Sequence, residues 1–271
     1  MRAPDPDNPP WSLLEALLTW AASVVLSIFV PSLMALPYLS SHYPGVRLTT
    51  EILRADKTLV IIFMAGLLPV HGLTLLLAWA VVSRLGQVSF GKALGWSWKS
   101  DFGLGKSVGL AILLFLAAWL ILLRLGGQDT ELERILESSR AAALITAFLA
   151  FATAPLVEEV IYRGVLYSAF QRAIGPMFAV IVVASMFAGL HVWQYWPNAG
   201  AISAITLLSI VLTVVRARTG RLLPCFVIHL VFNGIQSLII IFEPYLRTLI
   251  ESWQHRPAGP GLINFLLGIP R

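Results

Sequence analysis

Charge is what this sequence has least of. Of its 271 residues only 12% are Asp, Glu, Lys or Arg, about half the usual share of a soluble domain. So few charges cannot furnish a water-facing surface, and 58% of the residues are hydrophobic, with a mean hydropathy of +0.81. Intrinsic disorder is excluded as well, because it requires low hydrophobicity and high net charge. A single cysteine, Cys225, rules out an intramolecular disulfide. It lies in the apolar run after Arg221 and Pro224 and reads as a buried, inert thiol. No fixed-period repeat and no low-complexity tract occurs. No stretch alternates with period two, as a transmembrane barrel strand would. The basic excess, Lys+Arg 19 against Asp+Glu 14 with a pI near 9.7, is spread over the junctions between apolar runs. That dispersion suits anchoring to lipid headgroups and gives no stripe for nucleic acid.

What the sequence has is long uncharged runs. Segments free of Asp, Glu, Lys and Arg are Ala16–Val46, Thr58–Ser83, Ser107–Leu123, Ala141–Val157, Ala173–Val215 and Leu222–Phe242. A bilayer core about 30 Å thick needs roughly 20 helical residues. Ala173–Val215 is long enough for two spans, with an aromatic turn, His191 to Gly200, at its middle. Ala16–Val46 holds one span and an exit, punctuated by Pro31, Pro37 and Pro44. The expected fold is therefore all-α, a polytopic transmembrane helix bundle of seven spans, or eight if Gly261–Ile269 also enters the membrane. The first run carries acids before it and exceeds a signal-peptide core, so it reads as a retained span. Residues 1–140 supply N-terminal helices and connectors, 141–242 a helical core, and 243–271 a tail. Arg84–Lys106 reads as a basic connector and Gln128–Arg140 as a short amphipathic helix. The two faces carry ten and nine basic residues, so the positive-inside rule hardly separates them, although the Arg216, Arg218, Arg221 turn leans the N-terminus toward the cytoplasm.

Ionisable groups stranded inside spans are functional candidates by default, since a charge at the bilayer centre costs about 2.5–3.5 kcal/mol on insertion scales. Ala154-Pro155-Leu156-Val157-Glu158-Glu159-Val160-Ile161-Tyr162-Arg163-Gly164 continues directly from an uncharged run. At about 100° per residue, Glu159 and Arg163 share a helix face and can pair. Glu158 points away from them, beside Pro155 and Tyr162, and has no partner on its own helix. Phe187 and His191 stand four apart on a second span, and His229 and Asn233 four apart on a third. Alone, each of these reads as an interfacial residue or as interhelical glue. Together, Glu158, His191, His229 and Asn233 supply a carboxylate, two imidazoles and an amide, a set suited to activating water and stabilising a tetrahedral oxyanion. The reaction class is hydrolysis of an amide in or beside the membrane.

Glu-Glu-x-x-x-Arg, Phe-x-x-x-His and His-x-x-x-Asn, in that order on successive spans, resemble the family of type II CAAX prenyl endopeptidases and bacteriocin-processing (Abi) intramembrane proteases, the CPBP family. The resemblance covers about Ala141–Phe242 and includes Gly164 and the Thr219-Gly220 turn. It implies that Glu158 is the base activating water, assisted by His191. It implies that His229 and Asn233 bind the oxyanion, with Glu159 and Arg163 as a supporting pair, and that no cofactor takes part. The implied substrate is a membrane-associated protein or peptide, and the implied location is the cell's inner or plasma membrane.

Two alternatives use the same residues. Glu158, His191 and His229 form a candidate His2Glu zinc set, although the local His-Glu-x-x-His signature is absent. Intramembrane carboxylates and histidines also serve transporters, but no correspondence between halves suggests inverted repeats. A non-enzymatic scaffold is the third class. His71 reads as a packing or hydrogen-bonding residue, while His42 and His255 fall in connectors.

Overall fold

The computed structural model describes residues 5–126 and 129–254. Among the described residues every regular element is helical, and seven helices are long and apolar enough to cross a membrane. The expected eighth segment, Gly261–Ile269, lies outside the described residues, as does His255. The chain is an integral, multi-pass membrane protein built as an all-α bundle.

The spans are α1 (Leu13–His42), α3 (Lys57–Val82), α5 (Leu104–Leu125), a composite fourth span Arg140–Ile174, α10 (Pro176–Tyr195), α11 (Ala199–Thr219) and the first part of α12 (Leu222–Gln254). Short helices α2 (Thr50–Ala55), α4 (Phe90–Leu94) and α6 (Glu131–Ser138) occupy connectors. Sequence chemistry explains their starts. Ser12 and Thr130 form capping boxes with Glu15 and Glu133, and Asp56 accepts from the Thr58 and Leu59 N–H groups ahead of α3, each satisfying amides that a helix leaves open. Gly95 and Gly220 end α4 and α11 in the left-handed region that glycine enters at no steric cost.

The first span is longer than its proline punctuation suggests. Helix α1 runs unbroken through Pro31 and Pro37 to His42, because neighbouring helices hold a proline-containing membrane helix together. Gly66 of α3 lies against Pro31, where a Cβ would come within 2.9 Å of the Pro31 Cα. Small residues make similar close approaches elsewhere: Ala16, Ala78, Ala111, Ala118, Ala179 and Ala204 are all buried.

The polarity of the molecule is reversed relative to a soluble protein. Leu14, Ile28, Leu113, Leu123 and Met177 are among the large apolar side chains facing outward. Glu159, Arg163, Arg216 and His229 are buried. Lipid takes the first set and cannot take the second, so the charged groups must find partners inside. One buried cluster joins Trp11, Ala16, Ala78 and Val82 to Val160, Leu166 and Phe187, and a second joins α5, α11 and α12 around Leu114, Leu208, Leu212 and Cys225. Cys225 is buried as expected, its thiol directed at the Leu212 carbonyl.

The fourth span is irregular. It passes from α7 (Arg140–Phe148) through a π-type turn, Leu149–Thr153, into α8 (Ala154–Glu158). A second π-type segment, Glu159–Leu166, follows, and then α9 (Tyr167–Ile174). Such i→i+5 segments inside α-helices concentrate at functional sites.

Candidate active site

The two adjacent glutamates end up in different environments. Glu159, at 0% side-chain exposure, opens the second π segment, and its Oε1 accepts from Arg163 Nη1 at 3.0 Å and bonds His229 Nδ1 at 2.7 Å. Residues four apart still share a face in the wider turn, so the pairing read from the sequence holds. Arg163 is then held by α11: Nε donates to Thr213 Oγ1 at 3.3 Å, and Nη2 to the Ser209 carbonyl and hydroxyl at 3.1 and 3.0 Å. Its guanidinium also lies 4.5 Å over the Phe187 ring, a geometry that favours a cation over an aromatic face.

Glu158, the last residue of α8, keeps 25% side-chain exposure. Among the described residues it makes no hydrogen bond, and His229 Nε2 lies 3.7 Å from its Oε2. It faces a cavity of about 160 Å³ lined also by Ser23 and Ser27 of α1, His71 and Thr74 of α3, Tyr162 and His191. Glu159 pairs within its own helix as the spacing predicts, and Glu158 has no partner on that helix but lies within ion-pair reach of His229 on α12.

His191 enters the cavity with its tautomer set by the backbone. Its Nδ1 lies 2.8 Å from the Phe187 carbonyl, which can only accept, so Nδ1 is the donor; in the neutral ring Nε2 is then an acceptor. Phe187 organises the surroundings: it stacks on His191 at 4.4 Å and meets Tyr162 and His229 edge-on at 5.0 and 6.1 Å. The Phe-x-x-x-His spacing was the signal for that hub, since residues four apart stack along one helix face.

His229 is 1% exposed and bridges the glutamates from α12. Glu159 can only accept, which makes Nδ1 the donor and directs Nε2 toward Glu158. Asn233, one turn further along α12, lies outside the cavity lining. Its Nδ2 donates to the Ala150 carbonyl at 2.9 Å. That carbonyl has lost its helical donors: the Ala154 N–H reaches back to Leu149, and position 155 is a proline without an N–H. Ser237, the next residue on the same stripe, donates to the Ala147 carbonyl at 3.0 Å. So the structure gathers Glu158 and His191 in one cavity, places His229 and Glu159 outside its lining but with His229 within 3.7 Å of Glu158, and sets Asn233 against the first π turn with one of its two amide hydrogens committed.

His71 is the cavity residue that the sequence did not mark as part of the site. Its Nδ1 lies 2.7 Å from Thr153 Oγ1, so the hydrogen-bonding expectation holds. Its place beside Glu158, however, depends on α3 packing against the fourth span, and no spacing within either segment carries that. The zinc alternative needs three ligands converging on one point. Among the described residues no three His, Cys, Asp or Glu side chains are so arranged.

Comparison with known proteins places the same segment. Residues 140–235 match the family described as Rce1-like, type II CAAX prenyl endopeptidase Rce1-like. Neither the curated proteins nor the solved structures gave a match. The matched segment runs from the start of the composite span to just past Asn233 and contains both glutamates, Arg163, His191 and His229. Over residues 140–235 this multi-pass membrane protein is similar to the Rce1-like family of type II CAAX prenyl endopeptidases.

Proposed function

We propose that the chain is an intramembrane endopeptidase of glutamic type, hydrolysing a peptide bond in a membrane-associated protein or peptide. The observation that supports the reading is the sorting of the two glutamates: Glu159 is hydrogen-bonded by Arg163 and His229, while Glu158 makes no hydrogen bond among the described residues and shares a cavity with His191.

In this mechanism Glu158 takes one proton from a water whose other hydrogen is held by His191 Nε2. The water oxygen attacks the scissile carbonyl carbon, and the carbonyl π electrons move onto its oxygen. His229 in its doubly protonated form donates Nδ1–H to Glu159 and offers Nε2–H to that oxyanion, and the second amide hydrogen of Asn233 is the candidate companion donor. Collapse of the intermediate breaks the C–N bond, and the proton held by Glu158 passes to the departing nitrogen. The carboxylate is regenerated, and the products are a carboxylic acid and an amine. Donors fixed before the charge develops are the larger part of such catalysis, about 10²–10³ in rate for one donor.

Glu158→Gln keeps shape and removes basicity. In membranes from cells carrying wild type or this variant, labelled protein N-termini compared by mass spectrometry should lose specific peptides, which identify the substrate. Matching profiles with equal expression would overturn the protease reading in favour of a transporter or scaffold. A strong chelator should leave cleavage by purified protein unchanged. Loss of cleavage that added zinc restores would assign Glu158, His191 and His229 to a metal instead.

A further inference from the structure

The catalytic span is held in its unusual register from outside. In the second π segment, hydrogen bonds run five residues back, as from the Tyr167 N–H to the Tyr162 carbonyl. Each return from five-residue to four-residue spacing leaves one carbonyl at the junction without a helical N–H to receive. In a buried span no water replaces it, and an unmet buried carbonyl is costly. Two distant side chains donate to carbonyls at and just beyond this junction, the first to the orphaned one and the second as an added bond two residues on. Arg216 Nε of α11 donates to the Arg163 carbonyl at 3.0 Å, and Trp11 Nε1 donates to the Val165 carbonyl at 3.0 Å. Both donors are at 0% exposure.

The same arginine also holds the segment that carries Trp11. Arg216 Nη2 donates to Ser168 Oγ at 3.0 Å and to the Pro6 carbonyl at 3.1 Å. Arg172 of α9 donates to the Pro9 and Trp11 carbonyls at 2.8 and 3.0 Å, and Arg84, just beyond α3, donates to the Pro10 carbonyl. A proline offers a carbonyl and no N–H, and a guanidinium offers N–H groups and no acceptor. The strap Pro6–Trp11 and its three arginines are thus complementary in hydrogen bonding.

We infer that this strap, acting through Trp11 and Arg216, sets the geometry of the active site: the two side chains are positioning residues that keep Glu159–Leu166 in its wide turn and so keep Glu158 and Glu159 aligned with His229. Trp11 lies outside the family-matched segment 140–235. If the span relaxed to regular α spacing, residues on either side of the junction would turn by about 100° relative to each other, and the 2.7 Å contact of Glu159 with His229 would part. The consequence for catalysis rests on the endopeptidase reading; the consequence for the Glu159–His229 contact does not.

The test is Trp11→Phe in the full chain, reconstituted in lipid, which keeps an aromatic ring and removes the N–H. Two readouts are taken. One is kcat and KM on a substrate found from the N-terminal profiles. The other is the ¹⁵N and ¹H signal of the His229 ring hydrogen bonded to Glu159, followed by solid-state NMR. We expect kcat to fall between about 10- and 100-fold, the range that small misplacements of reacting groups produce, with KM little changed and the His229 signal shifted. Arg172→Gln, which loosens the strap without touching the π segment, should move both readouts in the same direction and serves if Trp11→Phe does not fold. Gly66→Ala, destabilised at the α1–α3 contact, should leave the His229 signal in place. Wild-type kcat and an unshifted signal in Trp11→Phe would overturn the inference, as would an equal loss of both in Gly66→Ala. If Glu158→Gln cleaves normally, the endopeptidase reading falls while the His229 signal still decides whether the strap sets the contact.

Discussion

Removing the Glu159 carboxylate would leave the Arg163 guanidinium at 0% exposure with neutral acceptors only, from Thr213 and Ser209. Breaking a buried pair in this way costs about 3–5 kcal/mol. Glu159→Ala should therefore unfold at markedly lower temperature in detergent, whereas Glu158→Ala, a quarter exposed and without a hydrogen bond, should stay within about 0.5 kcal/mol of wild type. Equal losses in the two variants would show that the glutamates are not sorted as described. The half of this contrast lying within one helix was legible in the sequence, because a four-residue spacing fixes which side chains share a face. The half lying between helices was not. His229 bridging both carboxylates, His71 reaching Thr153, and Asn233 meeting the Ala150 carbonyl all join residues about 70 or more positions apart, and spacing says nothing about such pairs.

At the level of the helices, apolar runs located all seven described spans, and the paired run Ala173–Val215 resolved into α10 and α11 as expected. Two features escaped. Pro31 and Pro37, read with Pro44 as an exit from the first span, lie inside α1, since the chain's own neighbours decide whether a proline breaks a membrane helix. The π segments left no trace in the pattern either, because an apolar stripe looks alike at 3.6 residues per turn and slightly more. Packing at the first of these features gives a direct expectation. A methyl group at position 66 would press on the Pro31 backbone, and overpacking of this kind costs about 1–3 kcal/mol. Gly66→Ala should lower the unfolding temperature accordingly, and a stability equal to wild type would mean that α1 and α3 can separate freely.

Across the whole molecule, the buried cluster around Phe187 draws on residues from Trp11 to Leu222. The matched segment therefore does not make its core alone: α1 and α3 supply Ser23, Ser27, His71 and Thr74 to the cavity. The sequence revealed the class of this architecture through its shortage of charge, and pointed to the candidate site through three short motifs. It did not reveal the N-terminal strap, because prolines before a span look like an ordinary leader to it.

That strap also bears on how the protein is made. Pro6 leaves the ribosome 210 residues ahead of Arg216, its partner. At about 5–20 residues per second, translation separates the two by roughly 10–40 s. Arg84 can engage the strap early, but Arg172 and Arg216 arrive only with the fourth and sixth spans. The nascent protein therefore inserts most of its helices before the clamp can close, and the site stays unassembled until α12, which carries His229, has followed α11 into the membrane.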